Sequence, residues 1–159
     1  MNFKEKMARI SEDYDKKAMF ADSLTSIKRS IERRVQNGDK KISDKNLICT
    51  LYNKKGAKIA VHGGAAQITV EWAITPEIKA GLQELKDLAA EEGITIAGFR
   101  YRLSNWCDDN SLGFGPVFTS GSGIVRVSKF DRAYRAYRSD VRSAEDWSVS
   151  VYCDYEFSL

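Results

Sequence analysis

Histidine, cysteine and proline are scarce in this chain, which has one His, three Cys and two Pro in 159 residues. One His and three scattered Cys do not fill the usual structural zinc site, so no metal is expected, and no motif calls for a cofactor. No run of 18 apolar residues occurs, so no membrane span and no membrane partner are expected. The opening Met1-Asn2-Phe3-Lys4-Glu5-Lys6 is charged and has no apolar h-region, so no secretory signal is expected and a cytoplasmic location follows. With so little Pro there is no Pro/Ser/Gly-rich linker, and no repeat or low-complexity tract appears. A single α+β domain over residues 1–159 is therefore expected, with a helical segment at 1–37 and a sheet-containing core at 45–159.

Apolar residues, by contrast, are plentiful at 43%, enough to offset chain entropy and argue against disorder. The formal charge of +3 is small but unevenly distributed. Residues 28–41 hold six basic side chains against Glu32 and Asp39, and residues 126–142 hold six against Asp131 and Asp140. Residues 71–92 carry six acids against Lys79 and Lys86, and the tail after Arg142 adds Glu145, Asp146, Asp154 and Glu156 with no base. Such blocks either build a polarised surface or neutralise one another within the fold, because field follows local charge rather than the sum.

The first 37 residues contain neither Gly nor Pro. Apolar positions at Phe3, Met7, Ile10, Tyr14, Ala18, Ala21, Leu24, Ile27, Ile31 and Val35 recur every three or four residues, a helical stripe that Asn37-Gly38 ends. An unbroken helix of that length would run roughly 50 Å, against a radius of gyration of about 15 Å for a compact domain this size. A break near Phe20-Ala21-Asp22-Ser23 is the expectation. The alternative is a projecting helix that pairs with a partner.

A three-stranded antiparallel meander is expected next, over 46–52, 58–62 and 67–73, with turns at Asn53-Lys54-Lys55-Gly56 and Gly63-Gly64. Thr75-Pro76-Glu77 starts a helix whose buried stripe is Ile78, Leu82, Leu85 and Leu88 or Ala89, and Gly93 closes it. Residues 94–103 read as a strand with a change of phase at Ala97-Gly98, hence a β-bulge, and 124–128 as a short strand. Phe130–Arg142 reads as a helix. Trp147, Val149, Val151, Cys153, Tyr155 and Phe157 alternate with polar residues as a final strand. The architecture expected is a mostly antiparallel sheet with helices on one face.

Chemistry is sparse. In the helix at 130–142, Arg135, Arg138 and Arg142 fall within an arc of about 60°, flanked by Arg132. A row of guanidinium forks beside Tyr134 and Tyr137 suits phosphates. Arg100 and Arg102 share one strand face, and with residues 28–41 they raise the prospect of one continuous basic surface. The glycine-rich stretch at 113–123 lacks the Gly-Lys-Ser/Thr ending of a phosphate loop and leads into a strand. Cys107 with His62 and Asp108 or Asp109 is the one conceivable nucleophilic site, although Asp108-Asp109-Asn110 is also ordinary turn composition. Cys49 and Cys153 read as small core residues.

No zinc-finger, basic-zipper or RRM-type spacing is present. The expectation is a non-enzymatic binding or regulatory protein that engages nucleic acid or a nucleoprotein complex through Arg132, Arg135, Arg138, Arg142, Arg100 and Arg102, although an acidic protein surface would suit the same arginines. One version is an inhibitor whose acidic stretches mimic phosphates on a basic protein surface. The alternatives are a small hydrolase or transferase using Cys107, His62 and Asp108, and a homo-oligomer assembled through the first helix.

Overall fold

The computed structural model describes residues 2–63, 66–105, 120–128 and 143–159. In chain order the elements are α1 (Phe3–Gln36), β1 (Lys41–Asn53), β2 (Gly56–Gly63), β3 (Gln67–Ile74), α2 (Pro76–Glu91), β4 (Thr95–Asn105), β5 (Ser122–Ser128), a single 3-10 turn (Ala144–Asp146) and β6 (Trp147–Ser158). The fold is α+β. The expected helix at 130–142 lies outside the described residues.

The first helix does not break. It runs 34 residues without interruption, roughly 50 Å. A capping box opens it, in which Asn2 Oδ1 accepts from the Glu5 N–H at 2.8 Å and the Glu5 carboxylate reaches back to Asn2. Gly38 at φ 100° ends it, as Asn37-Gly38 suggested. The suspected break at 20–23 is instead a docking point. Phe20 and Ser23 are buried, and Ser23 Oγ donates to the Ile48 carbonyl at 3.1 Å. The conflict between helix length and domain size is resolved by projection: residues 2–12 are all exposed.

Six strands form one sheet in the order β4-β6-β1-β2-β3-β5, curled into a half-barrel. It is mixed rather than a simple meander, which corrects the sequence expectation. β1 pairs along nearly its whole length with β6, antiparallel, and β6 pairs with β4 on its other side. β1 meets β2 only at Tyr52↔Gly56 and Asn53↔Ala57, in parallel sense. Two antiparallel triplets, β4-β6-β1 and β2-β3-β5, are thus hinged at one corner. That corner requires glycine: Gly56 sits at φ 98°, and a Cβ there would lie 2.7 Å from Leu51 Cδ2. Asn53 Oδ1 accepts from the Ile59 N–H and Gly56 O from the Thr75 N–H, tying β2 and the start of α2 to the corner.

β1 begins at Lys41, five residues before the expected start, because only Ile42 of its charged opening turns inward. The expected bulge in β4 is present as a register shift between Ile96 and Gly98. A second lies in β1 between Leu47 and Cys49. The inner face of β6, with Trp147, Val149, Val151, Cys153 and Tyr155, is almost solvent-free and belongs to one hydrophobic core. α1 lies against this face and α2 lies against α1 and β4. Gly81 of α2 allows the ring of Phe20 to rest directly on the helix backbone, since a Cβ there would collide with it.

Candidate functional site

The side chains that best suit ligand binding lie along the docked half of α1. Helical spacing of four puts Ser26 above Ser30 and Arg29 above Arg33 on adjacent rows. The serine row meets the sheet: Ser26 Oγ lies 3.4 Å from Asn46 Oδ1, and Ser30 Oγ accepts from the Tyr155 hydroxyl at 3.0 Å. The arginine row faces solvent. With Asp22 and Thr25 these residues line a groove of about 370 Å³.

The neighbouring charges are committed. Lys28 Nζ is 3.0 Å from Glu92, and Arg34 pairs with Asp39 at 3.1 Å and Asp44 at 3.5 Å. Arg29 and Arg33 have no ion pair among the described residues. Like charges one turn apart cost a helix about 0.2–0.5 kcal/mol, a cost that an anion held between them would reverse. Ser30 already accepts from Tyr155, so its own proton remains available to donate to such an anion. Sequence alone had not singled these two arginines out, because basic residues near a helix C-terminus are expected on dipole grounds.

Of the arginines expected to act, Arg132, Arg135, Arg138 and Arg142 lie outside the described residues. Arg100 and Arg102 stand on the solvent face of β4, opposite Tyr152 and Ser150 of β6. Arg100 Nε is held by Asp154 at 2.8 Å. This pair and Lys28–Glu92 show the acidic and basic blocks neutralising one another locally. Among the described residues, Arg29 and Arg33 do not share one surface with Arg100 and Arg102. Arg29 and Arg33 belong to the helix on the inner side of β4-β6-β1, whereas Arg100 and Arg102 project from its outer side, with the core between them.

Cys107, Asp108 and Asp109 also lie outside the described residues, as does most of the glycine-rich stretch. His62 is exposed on β2, with Nε2 3.6 Å from Glu71 Oε2. Cys49 and Cys153 are free and buried. Burial pushes their thiols up to about 12 and about 11, which keeps them protonated and poor nucleophiles at neutral pH. Among the described residues no group of three His, Cys, Asp or Glu is placed to hold a metal ion, and no helix is long and apolar enough to cross a membrane.

A shallower cleft of about 540 Å³ lies over β2, β3 and β5, floored by Ala60, Ala73 and Gly123. Its ionisable side chains, Lys58 and Glu71, are of opposite sign, so it lacks the charge bias of the α1 groove. Comparison of the chain with protein families, curated proteins and solved structures found no match.

Proposed function

We propose that this protein is a non-enzymatic binding protein that engages the phosphate backbone of nucleic acid, alone or within a nucleoprotein complex, through the α1 groove. The observation that carries this reading is a pair of guanidinium groups, Arg29 and Arg33, with no ion pair among the described residues and with the hydroxyls of Ser26 and Ser30 beside them. Planar, permanently charged forks with adjacent hydroxyl donors match phosphate oxygens in both charge and geometry. Arg132, Arg135, Arg138 and Arg142 are further candidate phosphate contacts from sequence. Arg100 is the weakest candidate, because an anion there must compete with Asp154.

Binding of fluorescent single- and double-stranded DNA and RNA, followed across a salt series from about 50 to about 500 mM, tests the proposal. Affinity should fall linearly with salt on logarithmic axes. Arg29→Glu with Arg33→Glu should weaken binding at least tenfold and reduce the slope by about 2, the value for two lost phosphate contacts. Absence of binding at low salt would sink the function. Binding that survives the double reversal but is lost in Arg135→Glu with Arg138→Glu would move the site to the later arginines.

A further inference from the structure

We propose, on the basis of that phosphate-binding reading, that the α1 groove prefers RNA to DNA, because Ser26 accepts a ribose 2′-hydroxyl beside a phosphate held at Ser30. The two serine hydroxyls that line the groove are not equivalent. Ser30 Oγ accepts from the Tyr155 hydroxyl at 3.0 Å, and Tyr155 is 1% exposed, so that donor is fixed in the core. With a lone pair filled from behind, Ser30 turns its own proton to the groove, where it meets a phosphate oxygen. Ser26 is held the other way round. Its Oγ donates to Asn46 Oδ1 at 3.4 Å, and that amide is oriented because Asn46 Nδ2 donates to the Leu47 carbonyl at 3.0 Å. The Ser26 proton is therefore committed to the sheet, and its oxygen offers the groove lone pairs. A phosphate oxygen finds no proton there, whereas a hydroxyl donor fits.

The rest of the lining is graded in the same sense. Asp22, one turn before Ser26, adds acceptor oxygens at that end, and Arg33, one turn beyond Arg29, adds donors at the other. The groove thus has an acceptor end and a donor end. A ligand that satisfies both presents an anion and, about one helical turn away, a neutral hydrogen-bond donor. Ser26 and Ser30 are roughly 6 Å apart along the axis. Ribose places such a donor within one nucleotide of every phosphate, and deoxyribose has none at that position; this hydroxyl is what lets a site tell RNA from DNA. Arg29 and Arg33 on successive turns suit successive phosphates of a chain better than a single free nucleotide.

Fluorescence anisotropy at one salt concentration tests this, with a single-stranded oligonucleotide of adenine and cytosine made in ribose, 2′-deoxyribose and 2′-O-methyl forms. The three share their bases and phosphates, and the 2′-O-methyl form keeps the sugar oxygen but loses the donor. The ribose form should bind about three- to tenfold more tightly than either of the others, the worth of one hydrogen bond. Ser26→Ala should bring that ratio to about one. Asn46→Ala should do the same, because it keeps the Ser26 hydroxyl but releases its proton. Ser30→Ala should weaken all three forms and keep the ratio. Equal binding of ribose and deoxyribose forms by the wild type overturns the RNA assignment and leaves the phosphate reading standing. A preference that survives Ser26→Ala overturns the assignment too, as does a 2′-O-methyl form that binds as tightly as the ribose form. Absence of binding by every form overturns the phosphate reading and the RNA assignment together.

Discussion

The two ends of α1 are made of similar material and have different fates. The turns from Phe20 to Val35 sink Phe20, Ile27 and Ile31 into the core and tie Ser23, Ser26, Ser30 and Arg34 to the sheet. The turns from Phe3 to Glu12 present Phe3, Met7 and Ile10 to solvent. Apolar periodicity says that a helix face needs cover, but not what covers it. Here the direction of each stripe around the axis decides, and so does the bulge in β1, which offers the Ile48 carbonyl to Ser23.

The largest test of this contrast is to truncate an isoleucine at each end. Ile27→Ala, at a site with no solvent exposure, should cost about 2–5 kcal/mol in urea unfolding. Ile10→Ala should change the same midpoint by less than about 0.5 kcal/mol in dilute solution. Comparable losses at both ends would mean that the projecting turns carry the fold.

The sheet beneath the docked end should also respond to base. The Cys49 and Cys153 thiols are raised by burial to about 12 and about 11, from an ordinary value near 8.5. The folded state therefore retains protons that the unfolded chain releases. Stability should hold up to about pH 8 and then fall by about 1.4 kcal/mol per pH unit for each thiol until the folded-state values are passed. Unfolding curves at rising pH check this, and Cys49→Ala should flatten the decline.

A somewhat smaller effect is expected at the contact between the helices. Gly81→Ala drives a methyl into the Phe20 ring and should cost about 1–3 kcal/mol. In a Phe20→Ala background that penalty should largely disappear, so a double-mutant cycle with no coupling would refute the contact. The smallest pair compares polar anchors. Ser23→Ala removes the buried hydrogen bond to the Ile48 carbonyl and should cost about 0.5–1.5 kcal/mol of global stability. Asn2→Ala removes a cap worth about 1 kcal/mol, yet should lower only helical circular dichroism, because the first turns fray without unfolding the domain.

Local signals were readable wherever the chemistry is local. Thr75-Pro76 does start α2, with Thr75 Oγ1 accepting from the Ile78 N–H, and of the two candidates for its last buried position Ala89 is the one inside. The phase change at Ala97-Gly98 and the alternation from Trp147 to Phe157 both correspond to observed strand geometry. The pairing of β1 with β6 was not legible, because it joins residues about a hundred positions apart and leaves no mark on either strand's own pattern. Nor was the opening of β1, where Lys41, Asp44 and Lys45 surround the one buried side chain of that stretch, Ile42. The α1 groove leaves no distinct mark on the sequence for a related reason. A basic cluster such as that over residues 28–41 is ordinary at a helix end. Only the sheet and α2 show that Lys28 and Arg34 are paired while Arg29 and Arg33 have no ion pair among the described residues.

The scarcity of His, Cys and Pro remains a property of the sequence that needs no fold to interpret. So do the two helices, the strands with clear alternation and their caps, because hydrogen bonding, glycine conformations and apolar spacing act over a few residues. Tertiary structure alone decided that the long helix stays whole, that the sheet hinges at Gly56 and that Arg29 and Arg33 lie on the opposite side of it from Arg100 and Arg102. Those outcomes depend on which distant surfaces meet, and packing and charge pairing across the core, not local propensity, set the balance.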